Sequence, residues 1–244
     1  MAKMDSGIPT ITTPTMNTTA GSVGGGGGGT SNKDLMAEAR ASLSGNWGWG
    51  ILGYIIYTAF SLAITIFVMA AAFFVGMVSG IGGGDVEAAS NVMGLVSQSV
   101  QWIIAGPLMV GFYGFYLGIA QEDEGRLELL FVGFQRFWKS FGAYFFFMLF
   151  YLLWFMLFII PGIIALFRYA MAFFIIADDE DCGPLEAITR SKLMMKGNKW
   201  KYFCLNCHFI GWSLLAFFFT FGIGFLWLVP YMQTAQAKFY EDIK

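Results

Sequence analysis

Charge is what this sequence has least of. Asp, Glu, Lys and Arg make up 12% of its 244 residues, about half the share found in ordinary globular domains. The net formal charge is −2, so no basic excess exists to track a phosphate backbone, and nucleic-acid binding is excluded. Only 3 Cys are present, too few for a secreted disulfide scaffold. A P-loop, a nucleophile elbow and an H-E-x-x-H pair are all missing, which removes the usual signatures of nucleotide, acyl-transfer and zinc-protease chemistry. Apolar surface is abundant instead. Hydrophobic residues reach 57%, with 27 Phe and 8 Trp, and the mean hydropathy is +0.64. That is too apolar for a soluble core of this size or for a disordered chain, and an integral membrane protein remains.

Residues 1–33 are the exception. Thr, Ser and Gly dominate there, and Gly24–Gly29 is an unbroken run. Such a segment cannot bury enough apolar surface to offset its ordering entropy, so it reads as a flexible tail. It has no apolar h-region, which argues against a secretory signal. The rest, 34–244, reads as one transmembrane domain.

A spanning helix needs about 20 mostly apolar residues. Six segments qualify: about 49–78, 97–120, 141–160, 163–177, 202–219 and 222–239. Pro161-Gly162 and Gly222-Ile223-Gly224 break two runs that are too long for single helices. The expected fold is therefore an all-α membrane protein, a six-helix bundle of three helical hairpins. Six crossings place every Lys and Arg except Arg168 on one side. By the positive-inside rule that side is cytoplasmic and holds both termini. Five crossings would export Lys238 and Lys244.

Two charged stretches on that side have the pattern of interfacial helices. In Gly125–Lys139, Leu127, Leu130, Phe131, Phe134 and Trp138 recur at helical spacing. In Pro184–Lys199, Pro occupies a first-turn position, and Lys192, Lys196 and Lys199 share a face that suits lipid headgroups. A weak internal repeat accompanies them. Tyr113, Tyr169 and Tyr231 fall in the second, fourth and sixth helices, each followed by acids nine or ten residues on. Gly45-Asn46-Trp47, Gly133 with Trp138, and Gly197-Asn198-Lys199-Trp200 precede the odd helices. Small residues such as Gly114 and Gly118 offer close helix contact.

Several of these stretches, with others, carry a resemblance. Gly45-Asn46-Trp47-Gly48, Gly106-Pro107-Leu108, Ile160-Pro161-Gly162-Ile163 and Arg168-Tyr169 come first. Met195-Lys196-Gly197-Asn198-Lys199-Trp200, Phe209-Ile210-Gly211-Trp212, Gly222-Ile223-Gly224 and Pro230-Tyr231 follow. In this order the chain, from Arg40 to Ile243, resembles the bacterial polytopic membrane family catalogued as domain of unknown function 975. The resemblance implies a bacterial cytoplasmic membrane and brings no activity, substrate or catalytic residue.

Four constellations could carry chemistry. Cys204-Leu205-Asn206-Cys207-His208 fits the haem-attachment pattern C-x-x-C-H. It lies at the cytoplasmic end of a helix, where two small apolar thiols in a packed helix are the simpler reading. Gly82-Gly83-Gly84-Asp85 fits the G-x-G-D of intramembrane aspartyl proteases. That chemistry needs a second carboxylate inside the membrane, and the helix cores carry none. Asp178-Asp179-Glu180-Asp181 reads as a helix-dipole complement rather than a cation site. Arg168, the one intramembrane cation, reads first as an Arg that holds helices together, with an anionic-solute or lipid-headgroup site and plain snorkelling as the alternatives. A polar site around it would draw on Tyr169, Tyr113, Gln101, Asn206, His208 and Gln233. No catalytic residue, metal or cofactor is expected. The expected partners are the lipid bilayer and a membrane protein or second copy. The expected role is that of a non-catalytic organising component, with transport of a small solute or lipid as the alternative.

Overall fold

A computed structural model describes residues 29–83, 85–121 and 126–244. The tail read over 1–33 therefore lies largely outside the described residues. Its end does not: Asn32 and Lys33 already belong to a helix, α1 (Asn32–Leu43). The Ser31 hydroxyl caps it by accepting the Asp34 N–H, and Leu35, Ala39 and Leu43 are its buried face.

The described residues are all helical, without strands. After α1 come α2 (Trp47–Ile81) and α3 (Val86–Ala120), each of 35 residues. α2 overruns its expected limits by two or three residues at each end, and α3 begins well before its expected start. Asp85 explains the long α3, because its carboxylate accepts the Glu87 and Ala88 N–H groups and starts the helix eleven residues before the apolar run. A 3₁₀ turn (Leu127–Phe131) and the short α4 (Val132–Gln135) then lead into α5 (Phe137–Leu157). This corrects the single amphipathic helix expected over Gly125–Lys139. Glycine explains the change: a Cβ on Gly111 would lie 1.8 Å from the Leu130 carbonyl oxygen, and one on Gly133 1.8 Å from that of Pro107. The segment is moulded onto α3 backbone to backbone, a closer approach than a side-chain-bearing helix allows.

The chain breaks at Phe158, which is extended (φ −160°, ψ 147°), rather than at Pro161-Gly162. Pro161 sits in the first turn of α6 (Ile159–Tyr169), where a missing N–H costs nothing. A second break separates α6 from α7 (Ala172–Asp178). Ser191 of α8 (Pro184–Met194) fills that gap: its hydroxyl accepts the Met171 N–H and donates to the Arg168 carbonyl. The helix expected over Pro184–Lys199 is thus shorter, and Lys199 opens α9 (Lys199–Thr220). Left-handed Phe221 and Gly222 turn the chain into α10 (Phe225–Ile243).

Five segments are long and apolar enough to cross a membrane: Trp47–Ile81, Glu87–Ala120, Phe137–Leu157, Pro161–Asp178 and Lys199–Thr220. The sixth expected crossing, in α10, does not qualify among the described residues, because Gln236, Lys238, Glu241 and Asp242 crowd its C-terminal half. Buried share sorts the five. It is 6% for the most apolar stretch of α2 and 11% for those of α5 and α9, against 67% for α3 and 50% for Pro161–Asp178. The first helix of each hairpin lies outside; the second lies inside. α10 follows the rule, with Pro230 and the residues from Gln233 to Ala237 buried.

The lead-in segments complete the pattern. α1 packs on α10, the 3₁₀–α4 segment on α3, and α8 on α7. Each touches the inner helix of another hairpin, α8 resting equally on the outer helix α5, and α1 closes the ring. α1 and α8 also match residue for residue: Leu35, Ala39 and Leu43 correspond to Ala187, Ser191 and Met195, all buried. Each is followed by a left-handed glycine, Gly45 (φ +95°) and Gly197 (φ +93°), then by Asn and a new helix. The middle lead-in lacks this turn, since Gly133 sits inside α4.

Candidate functional site

The inner helices meet in rings. Tyr113 of α3 stacks on Phe173 (5.7 Å) and meets Phe174 edge-on (4.7 Å), and Phe174 stacks on Tyr240 of α10 (5.5 Å). Rings at these separations fill space and leave an apolar plug. Tyr169 belongs to a separate cluster with Phe147 and Phe150.

The expected polar site is dispersed. Asn206 of α9 accepts a hydrogen bond from Gln236 of α10 (3.1 Å) and donates to the Tyr202 carbonyl. This is an interhelical polar contact of the kind that joins membrane helices. Gln233 is buried nearby in sequence, yet its side-chain oxygen has no partner among the described residues. His208 is exposed and accepts from Trp212 one turn on (3.1 Å). Cys204 and Cys207 are exposed as well, so the C-x-x-C-H residues face outward rather than packing into the bundle. Arg168 is half-buried; its carbonyl accepts from Ser191, and its guanidinium has no hydrogen bond or ion pair among the described residues. Of the expected site residues, His208 lines a shallow, open pocket with Cys207 and Trp212, and Gln101 lines a more enclosed polar cavity.

That cavity is a cleft of about 270 Å³ between α2, α3 and α5. Its polar lining comes from Tyr57, Ser61, Thr65, Gln98, Gln101 and Tyr144. Ser61 and Thr65 are four apart on α2 and Gln98 and Gln101 three apart on α3, so each pair shares one helical face. That spacing was a legible signal for the members missed from sequence. No charged residue lines the cleft. Amides and hydroxyls can donate and accept hydrogen bonds, but they do not trade protons near neutral pH. The cleft suits a small neutral polar solute or ordered water.

Charge gathers elsewhere. Asp178 accepts the Tyr240 hydroxyl (2.9 Å) and pairs with Lys244; Asp179 pairs with Arg190 (2.7 Å), and Glu180 with Arg136. Arg136 also donates to the Ile176 and Ala177 carbonyls at the end of α7. The acidic run is therefore a clasp tying α7 to α8, α10 and the start of α5, not only a dipole complement. The Arg190 hydrogen bond holds Asp179 below the usual carboxylate range, and Asp179 raises Arg190 in turn. A second clasp joins Lys201 to Asp242 (2.6 Å). Among the described residues no group of His, Cys, Asp and Glu is arranged to hold a metal. Lys192 and Lys196 are exposed and Lys199 half-buried.

Comparison with known proteins is sparse. No curated protein and no solved structure matches the chain. Residues 155–244, from the end of α5 through α10, match the family model described as Protein of unknown function (DUF975). Over that stretch, which holds Arg168, the acidic clasp, the matched α8–Gly197–α9 unit and Tyr231, the chain is similar to this family.

Proposed function

We propose that the chain is a non-catalytic organising component of a cytoplasmic membrane, crossing it six times with both termini on the basic side. One observation carries this reading: the helices that would have to line a central path, α3, α7 and α10, are packed ring against ring through Tyr113, Phe174 and Tyr240. α10 serves as the sixth crossing because it pairs with α9 and is shielded from lipid by the other helices along its polar half. The clasps of Asp178, Asp179 and Glu180 then form a stiff platform on the side where Lys and Arg collect.

Thiol accessibility tests this. In a cysteine-free background, Cys placed at Tyr113, Phe174 or Thr234 should resist a membrane-impermeant maleimide from both sides. Labelling of any of the three from both sides would establish a path and overturn the reading. The cleft lined by Gln98 and Gln101 favours a second reading, a site for a small neutral solute. Under that reading, Cys at Gln101 labels in intact membranes and solute protects it.

A further inference from the structure

The face of α9 and α10 turned away from the bundle carries a groove of about 660 Å³. Trp212, Ala216, Phe219 and Trp227 form its walls, with Trp47 and Tyr231 beside Arg40 as its other lining. Trp212 is 51%, Phe219 79% and Trp227 53% exposed, so the groove opens outward into the apolar band. Its shape follows from residue size. Ala216 and Gly224 are small and hold the two helices close, since a Cβ on Gly224 would fall 2.9 Å from that of Ala216. The flanking large rings stand proud as walls.

Arg40 is the only charged residue of the lining. It comes from the last turn of α1 and is clamped: its Nε donates to the Tyr231 hydroxyl (3.0 Å), its guanidinium lies over the Tyr231 ring (5.2 Å), and that hydroxyl in turn donates to the Met36 carbonyl (3.4 Å). The clamp uses one donor. Nη1 and Nη2 have no partner among the described residues and form the fork that grips a phosphate.

We propose that this groove binds an anionic phospholipid of the surrounding bilayer, its phosphate on Arg40 and an acyl chain against Trp212, Phe219 and Trp227. Charge decides the occupant. A soluble anion has no use for three aromatic walls, and a neutral apolar partner would leave the cation of Arg40 desolvated and unpaired. A phospholipid satisfies both ends. Length agrees: the wall from Trp212 to Thr220 rises about 12 Å, close to the roughly 15 Å depth of one leaflet's hydrocarbon. The site is separate from the neutral cleft beside Gln101 and needs no transport path.

Native mass spectrometry of the full chain in dodecyl maltoside, with equal amounts of phosphatidylglycerol and phosphatidylcholine, tests it. Phosphatidylglycerol adducts should exceed phosphatidylcholine adducts about tenfold, because both present the phosphate but only phosphatidylcholine adds a choline cation that offsets its charge beside Arg40. Arg40→Gln should bring the ratio near unity. Ala216→Phe fills the groove at a half-buried position and should reduce both adducts. Lys33→Gln, exposed at the start of α1 and outside the groove, should leave the ratio at the wild-type value. An unchanged ratio in Arg40→Gln, or equal binding of the two lipids by the wild type, overturns the proposal. So does a lipid-free dimer that Ala216→Phe dissociates, which would make a second copy the occupant.

Discussion

Replacing Gly111 by Ala adds one methyl group, and the structure assigns it a steric cost. In an exposed helix interior the change favours the helix by roughly 0.5–1 kcal/mol, since Ala loses less backbone entropy. Gly76 in α2 and Gly94 in α3 are such positions, with nothing within 4 Å of a built Cβ. At Gly111 the same methyl would stand 1.8 Å from the Leu130 carbonyl oxygen and 2.6 Å from its carbon. Carbon and oxygen need more than 3 Å, so the backbone of the 3₁₀ turn or of α3 must move by more than an ångström. Overpacking of this kind costs about 1–3 kcal/mol, and rigid backbone on both sides places Gly111 at the upper end. The expected sign therefore reverses along one helix: Gly94→Ala neutral or stabilising, Gly111→Ala destabilising by about 2–3 kcal/mol. Detergent unfolding in mixed micelles, followed by far-UV circular dichroism, reads the difference. If Gly111→Ala unfolds together with Gly94→Ala, the 3₁₀ segment does not lie on α3 and the close-packed lead-in is wrong.

Further outcomes follow from other contacts. Ser191→Ala removes the hydroxyl that bridges the α6–α7 break, leaves the Met171 N–H and Arg168 carbonyl without it, and should cost about 1–3 kcal/mol in the same assay; a neutral result would mean that another group spans the break. Ala at Gly45 or Gly197, where φ is +95° and +93°, should cost about 1–2 kcal/mol each and nearly equally; unequal losses would break the correspondence of α1 with α8. The Asp179 carboxyl is depressed by Arg190, so its contribution is present above the unfolded value near 3.9 and fades as pH falls through the lower folded value. Asp179→Asn should therefore flatten the acid limb of the stability profile below about pH 4, and an unchanged limb would show the ion pair to be inert.

The architecture was legible where composition decides it and obscure where side chains do. Long apolar runs gave the helices, and Gly222 gave the last turn. α1 escaped notice because its signal is short: a Ser31 cap and three buried residues at four-residue spacing, adjoining a Gly-rich tail that suggested disorder. The break at Phe158 was displaced onto Pro161 because proline marks a stop in sequence, although it is equally at home in a first helical turn. The site failed for a different reason. Intramembrane polar residues were gathered around Arg168 by rarity, but rarity says nothing about which face of a helix they occupy. Gln101 faces the cleft, His208 faces outward, and Asn206 is spent on Gln236.

The hairpins differ in length, and this bears on what the molecule presents to either side. A helix of 35 residues is about 52 Å long, whereas the hydrocarbon core is about 30 Å thick. α9, with 22 residues, fits that core; α2 and α3 exceed it by some 20 Å unless strongly tilted. The surplus lies at the far end of the hairpin: α2 begins beside Pro230, where a Cβ on Gly50 would stand 3.2 Å from the proline, whereas α9 begins beside Asp242, the partner of Lys201, so the extra length of α2 accrues at its other end. That end carries Gly82, Gly83, Asp85, Glu87 and Ser90, with Asp85 capping α3. A polar, capped tip on an over-long hairpin is what a segment leaving the hydrocarbon requires, because its backbone and side chains must meet water there. The first hairpin thus combines a lipid-exposed shaft with a projecting tip, and it departs from the common plan of the three in the direction away from the ion-paired platform.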